Sequence, residues 1–336
     1  MLGPYTLLQL IGQGGFSRVY RVQRDGADYA AKILSVDAPQ ADPLALARFA
    51  REIEALGRVA HPNLIELCDH GVDPTHGAYL VTPLIVGMTL RDLAARRPLP
   101  PESALLLMEP VFDAVGALHQ AGIVHRDLKP ENVMVTPRGD VILFDLGLAL
   151  AETQSRLTRT GTVTGSVPYM SPEQIAAEPL GPPSDVWSLG VTLYELIAGR
   201  RPFYRERPSE ELASILAATH DPLSNVDRRV SEALDEVLER CLRREPSERW
   251  KDARSARAAL VTCIDWCAPM SARAERCAVV SDPFGYVERV ADVRVDALRA
   301  EARAWMQRGE SFRAMRFCDR ALAYRPDDEE VLALVV

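Results

Sequence analysis

The stretch His125-Arg126-Asp127-Leu128-Lys129-Pro130-Glu131-Asn132, "HRDLKPEN", decides how this 336-residue sequence is read. Asp127 and Asn132 stand five apart between two apolar, strand-like runs, a spacing that lets one tight loop aim both side chains at one centre. The octapeptide sits inside a strand-rich island, "IVHRDLKPENVMVTPRGDVILFDLG" (123–147), with a Pro137-Arg138-Gly139-Asp140 turn in its middle. From about 90 to 263 the pattern is otherwise mainly helical.

Lys129 is informative because of what surrounds it. The chain has 39 lysines and arginines, and only Lys32, Lys129 and Lys251 are lysine. A guanidinium is a planar fork, whereas an ammonium is a compact point charge, so a narrow slot can demand lysine from a sequence that otherwise writes arginine. The net charge of −8 argues against a nucleic-acid binder. The longest apolar-rich segment, "SALLLMEPVFDAVGALHQAGIV", carries Glu109, Pro110 and Asp113 and reads as a buried helix rather than a membrane span. Six scattered cysteines suit a reduced, cytoplasmic setting, and no leader is expected.

Working towards the N-terminus, "YTLLQLIGQGGFSRVYRVQRDGADYAAKIL" gives three strand-like runs, broken by Gly12, Gly14 and Gly15 and by Asp25-Gly26, a two-residue hairpin pair. A dinucleotide-binding fingerprint would place a helix after the glycines, and here a strand follows. A glycine-tipped hairpin followed by "AAK" on the next strand suggests a lid over nucleotide phosphates, with Lys32 reaching them. A solvent-facing lysine on an edge strand is the bland alternative, and arginine would be expected there. A helix is expected over about 44–58, capped by Asp42 with Pro43 at its start, with Leu46, Phe49, Ile53 and Leu56 on one face.

With these residues in view the chain resembles a Hanks-type, eukaryotic-like bacterial serine/threonine protein kinase over about residues 5–263. The resemblance implies an α+β, bilobal fold: a β-rich N-lobe over about 1–84 and a mainly helical C-lobe over about 85–263. It implies ATP and Mg²⁺ as cofactors and proteins as substrates. By the same resemblance Asp127 is the base that orients the substrate hydroxyl, Lys129 steadies the γ-phosphate, and Asn132 and Asp145 of "LFDLGLA" hold metal. Glu52 becomes the ion-pair partner of Lys32. Glu54 is the rival, but Glu52 lies three and four residues from Phe49 and Leu56. Ile11, Val19, Ala30 and Met134 would enclose the adenine, with Thr82 as gatekeeper and Pro83-Leu84-Ile85 as hinge.

Some positions depart from the family pattern. Ser17 replaces the third loop glycine, Leu146 stands mid-motif in "DLG", and "SPE" ends in Glu173, with Arg249 its expected partner. Asp185 of "SDVWSLG" matches the aspartate that braces the catalytic loop. Arg126 before the catalytic aspartate resembles kinases switched on by loop phosphorylation. The candidate phosphosites are Thr160, then Thr158 and Thr162, while Ser166 resembles a hydroxyl that bonds Asp127 and Lys129. The competing readings are a kinase-shaped scaffold acting through its C-terminal segment and a small-molecule phosphotransferase.

Residues 264–290 are expected as a linker. Residues 291–336 form an Ala- and Arg-rich helical segment whose Ala302, Trp305, Ala314, Ala321 and Pro326 fall at tetratricopeptide-like positions. It would dock on the kinase, on another copy or on a helical partner. Cys263, Cys267 and Cys277 lack a fourth ligand and are expected to be incidental thiols.

Overall fold

In the N-terminal third, β1 (Thr6–Gln13), β2 (Ser17–Arg24) and β3 (Ala27–Leu34) pair antiparallel as a meander. Asp25 and Gly26 both take positive φ, 52° and 79°, the geometry a two-residue hairpin demands. With β4 (Asp69–Asp73) and β5 (Gly77–Pro83) these strands make one sheet in the order β1-β2-β3-β5-β4. The computed structural model describes residues 1–13, 17–34, 43–95, 97–146, 167–264 and 271–335. Gly14, Gly15, Asp42, Thr158, Thr160, Thr162, Ser166 and Cys267 lie outside the described residues.

α1 (Pro43–Arg58) lies against β3. Its buried stripe runs through Phe49, Glu52, Ala55 and Leu56, while Leu46 is 42% exposed. The inward face is therefore rotated from the purely apolar one expected, because it has to carry a carboxylate inward as well.

Beyond β5 come β6 (Met88–Thr89), α2 (Leu90–Ala94) and α3 (Pro101–Gln120), then the short strands β7 (Val133–Val135) and β8 (Val141–Leu143), which extend β6 into a small sheet. α4 (Pro172–Ile175), α5 (Pro182–Ala198), α6 (Pro208–Ala217), α7 (Glu232–Cys241) and α8 (Ala253–Val261) complete a helical lobe. α5 is buried continuously from Ser184 to Ile197, which is why its sequence is apolar on every side. The five-stranded sheet has a small core of its own (Leu2, Tyr5, Val22, Ala31, Ile33, Tyr79 and Val81), separate from the large helical core. Two cores leave a cleft where they meet.

The stretch expected as a linker holds α9 (Ala272–Ser281) and the first turns of α10 (Pro283–Gln307). Both are amphipathic and bury Val279, Val280, Tyr286, Val287 and Val290 in the helical core. Asp282 caps α10 by accepting from Gly285 N–H at 2.9 Å, with Pro283 at the first helical position. α11 (Ser311–Tyr324) folds back along α10 after a turn at Gly309, whose φ is 79°, and α12 (Glu329–Val335) follows. Ala302, Ala314 and Ala321 are fully buried and let the helices approach closely. This unit is tied to the helical lobe: Ser103 Oγ donates to the Pro283 carbonyl at 2.9 Å, Arg320 Nε to the Arg229 carbonyl at 3.2 Å, and Tyr324 OH to Glu102.

Candidate active site

Lys32 sits on β3 opposite Leu80 of β5, and the register aims its side chain under the sheet towards α1. Nζ donates to both Glu52 oxygens, at 2.8 and 3.0 Å, and also contacts the Asp145 carboxylate. Burial alone would lower the ammonium's pKa, but the carboxylates of Asp145 and Glu52 hold it above the ordinary lysine value. Burial pushes Glu52 up to about 6, against the pull of Lys32 and with that of Asp145. Asp145 is held below the usual carboxylate range, because the attraction of Lys32 outweighs its burial.

Asp145 follows β8 with φ of 60°, a conformation uncommon outside glycine. Leu146, buried at 2% exposure, anchors the chain just after it, so a leucine in the middle of this motif keeps the apolar role. The loop before β7 holds the second set of groups. Lys129 Nζ donates to Asp127 Oδ2 at 2.6 Å, and Asn132 Nδ2 donates to the Asp127 carbonyl at 2.7 Å and to its Oδ2 at 3.2 Å. Phe144 N–H donates to the Asn132 carbonyl at 3.0 Å and so ties the two halves together.

A buried carboxylate shapes that loop. Asp185, fully buried on α5, accepts from the backbone N–H of His125 at 2.7 Å and of Arg126 at 2.8 Å. Arg126 has φ of 74°, a strained value that these bonds sustain. His119 Nδ1 accepts from Ala253 N–H at 3.1 Å, which leaves its Nε2–H to donate to Asp185 at 2.9 Å. His125 is buried and its pKa lowered chiefly by that burial, so it serves here as a neutral wedge.

On the other side, Arg91 of α2 links three segments. It donates to Glu131 at 2.8 Å, to Glu195 of α5 at 3.0 Å and to Tyr169 OH, which itself donates to Glu195 at 2.6 Å. Nothing in the sequence singled out Arg91 or Glu195, because the contacts join residues 40 to 104 positions apart.

Between the lobes lies a cavity of about 480 Å³. Ile11, Gly12, Val19, Ala30, Lys32, Glu52, Thr82, Pro83, Ile85, Met134 and Asp145 all line it. Leu56, Ile65, Leu80 and Phe144 form an apolar back wall that sequence reasoning missed, although Leu56 lies one turn beyond Glu52 on α1. The volume suits a nucleotide-sized ligand, with apolar walls at one end and charged groups at the other.

A divalent ion can be tested against the donors present. Asn132 commits its Nδ2 to donation, which leaves Oδ1 as a ligand atom, and Asp145 adds a carboxylate. Among the described residues no cluster of three or more His, Cys, Asp or Glu is suited to a metal. Two oxygen donors fit magnesium, which keeps waters and shares substrate phosphates rather than filling an all-protein cage.

The family described as "Protein kinase domain" matches residues 5–260. Similar proteins include serine/threonine-protein kinase PknL of Mycobacterium bovis, 37% identical over 251 residues, which are 74% of this chain and 63% of that protein. PrkC of Bacillus subtilis is 33% identical over 266 residues, 78% of this chain and 41% of that protein. PknB of Mycolicibacterium smegmatis is 33% identical over 291 residues, 83% and 46% respectively. The chain thus spans less than two thirds of the length of each of these relatives. With the family match covering most of its length, the chain belongs to the protein kinase family.

Proposed function

We propose that this chain transfers the γ-phosphoryl group of ATP to serine and threonine hydroxyls of proteins. The observation that carries the reading is the convergence of Lys32, Glu52 and Asp145 at the polar end of an apolar-walled cavity, with Asp127 and Lys129 on the adjoining loop. The names of the relatives supply the serine/threonine class and, with it, protein substrates.

In this reading the apolar walls hold the adenine and Lys32, oriented by Glu52, binds the phosphates. Asp127 accepts a hydrogen bond from the incoming hydroxyl and takes its proton as the new P–O bond forms and the bond from the γ-phosphorus to the bridging oxygen breaks, releasing ADP. Lys129, 2.6 Å from Asp127, neutralises the charge on the phosphoryl oxygens in transit. Asn132 and Asp145 would hold magnesium, which would supply positive charge to the phosphates. The rest of the barrier is lowered by positioning, since Asp185 and the strained Arg126 fix the loop before substrate arrives.

The test is a phosphotransfer assay with radiolabelled ATP on the purified chain and on a generic basic protein. The parent should label protein on serine and threonine, and Asp127→Asn should lower kcat by about a thousandfold with little change in nucleotide affinity. Equal labelling by the two proteins would remove Asp127 from its role.

Autophosphorylation belongs to the same proposal. Arg126 carries a buried Nε with no hydrogen-bond partner among the described residues, and a phosphothreonine would pair with its guanidinium. Thr160 is the first candidate, before Thr158 and Thr162. Mass spectrometry of the parent should find phosphate there that Asp145→Asn lacks, and equal phosphate in both contradicts the mechanism. The C-terminal helices, with tetratricopeptide-like spacing, serve in this reading as an intramolecular support, on the strength of their bonds to the helical lobe.

A further inference from the structure

The turn between β7 and β8 is gripped from outside by the C-terminal helices. Gly139, at the tip of the turn, has φ of 74°. A Cβ there would stand 2.7 Å from Cys277 N, 2.9 Å from the Arg273 carbonyl oxygen and 3.1 Å from Arg276 C, all backbone atoms of α9. The helix backbone therefore lies directly on the turn, at a distance only glycine allows. Arg276 Nε donates to the Gly139 carbonyl at 3.0 Å, and Arg273 meets the Asp140 carboxylate at 2.8 Å. The Arg273 pair is exposed and worth little by itself, so the contact of backbone on glycine and the bond from Arg276 to the Gly139 carbonyl together hold the geometry.

Both partners in this contact are held by bonds and packing of their own. α9 is anchored through Val279 and Val280 in the core and through Glu275, buried at 1% exposure, which accepts from Tyr286 OH of α10 at 2.9 Å. The turn is closed by Thr136 N–H to the Asp140 carbonyl at 2.9 Å and Gly139 N–H to the Thr136 carbonyl at 2.9 Å. Behind it run two strands of three residues, registered Val135 to Val141 and Val133 to Leu143. They are about 10 Å long at the usual rise per residue. At their far end Asn132 precedes one strand, Asp145 follows the other, and the bond from Phe144 N–H to the Asn132 carbonyl couples them.

We propose that α9 is a brace that sets the separation and aim of Asn132 and Asp145 through the β7–β8 hairpin, with Gly139 as the positioning residue. The C-terminal helices are then part of the metal–nucleotide site. This rests on the phosphotransfer reading only in taking Asn132 and Asp145 as the pair that holds magnesium.

The experiment needs no turnover. Binding of a fluorescent ATP analogue to the full chain is titrated with and without magnesium, and the ratio of the two affinities is the readout. In Gly139→Ala the magnesium enhancement should fall by about tenfold, the size of effect typical when a group supporting a metal ligand is lost, while metal-free affinity stays within about twofold. Gly26→Ala is the control: its φ is 79°, yet nothing lies within 4 Å of the added Cβ, so it carries the backbone strain without touching a brace. The control should keep the parent's ratio. If Gly139→Ala does not fold, the double variant Arg273→Ala/Arg276→Ala, which leaves the turn unstrained but removes the bond from Arg276 to the Gly139 carbonyl, should show a smaller loss that is again confined to the magnesium-bound state. A parent-like ratio in the folded brace variants, or an equal loss with and without magnesium, overturns the brace alone. Failure of the parent to bind the analogue under either condition overturns the phosphotransfer reading beneath it.

Discussion

At the scale of single residues, Lys32 is constrained by having to meet three oxygens at one nitrogen. Glu52 offers both carboxylate oxygens from one side and Asp145 approaches from another, and the side chain is only 20% exposed. A guanidinium spreads its charge over a plane of three nitrogens and cannot occupy that point. Lys32→Arg should therefore lower kcat/KM by about a thousandfold, roughly 4 kcal/mol of transition-state stabilisation, while the retained charge keeps Tm close to the parent. A radiolabelled-ATP assay beside thermal unfolding separates the two quantities, and near-normal turnover contradicts the role. The arginine-rich composition makes this residue stand out in the sequence, and "HRDLKPEN" does the same for Asp127, Lys129 and Asn132. Arg91 and Glu195 stayed hidden, because a polar network between distant segments leaves no period in the sequence. Cysteines give a second check. Burial raises both Cys241, pushed up to about 12, and the exposed Cys68, so access discriminates between them more than acidity. Iodoacetamide at pH 8 should alkylate Cys68 in the native protein and reach Cys241 only after unfolding, as peptide mapping would show.

Elements are joined by a few buried polar ties. Arg249, 2% exposed, reaches both oxygens of Glu173 at 2.8 Å, donates to the Arg243, Arg244 and Pro183 carbonyls, and lies 4.9 Å from the centre of the Trp187 ring. It thus binds the segment after α7 to α4 and to the start of α5. Glu173 is held below the usual carboxylate range, because the Arg249 guanidinium overcomes its burial. Arg249→Ala leaves that carboxylate buried and unpaired, and should cost about 3–5 kcal/mol, seen as a lower midpoint in urea. A change within about 0.5 kcal/mol would show that water replaces the guanidinium freely. The motif ending in Glu173 made this pair legible at the level of sequence. Strands and helices were legible where period and punctuation agreed, as at Asp25-Gly26. The stretch 264–290 was not, since α9 opens on Ala, Arg and Cys with its large apolar residues only at Val279 and Val280, and Asp282-Pro283 interrupts the period before α10. Their buried positions gain meaning only from the lobe they cover. Leu46 failed for the complementary reason: the inner face of α1 is chosen by Glu52 as much as by apolar residues.

At the scale of the whole molecule, the C-terminal helices share the helical core, and a buried carboxyl lies at the join. Glu102 opens α3 at 7% exposure and accepts from Tyr324 OH of α11. Its other oxygen is buried and has no hydrogen-bond partner among the described residues. Burial raises its pKa, and Asp227 adds to the rise, against the opposing attraction of Arg294 on α10 and of Arg229 on the loop before α7. Between the carboxyl's unfolded value and this raised folded value, the native chain keeps a proton that the unfolded chain has released. Its contribution to stability therefore falls as pH rises through that window, and the deficit is complete above it. Glu102→Gln keeps an oxygen for Tyr324 and removes the titration. The Tm difference between this variant and the parent should move in the variant's favour from pH 4.5 to pH 8. A flat difference, or one that moves the other way, would mean that Arg294 and Arg229 fully compensate the charge. The junction would then hold without a pH-dependent contribution from Glu102.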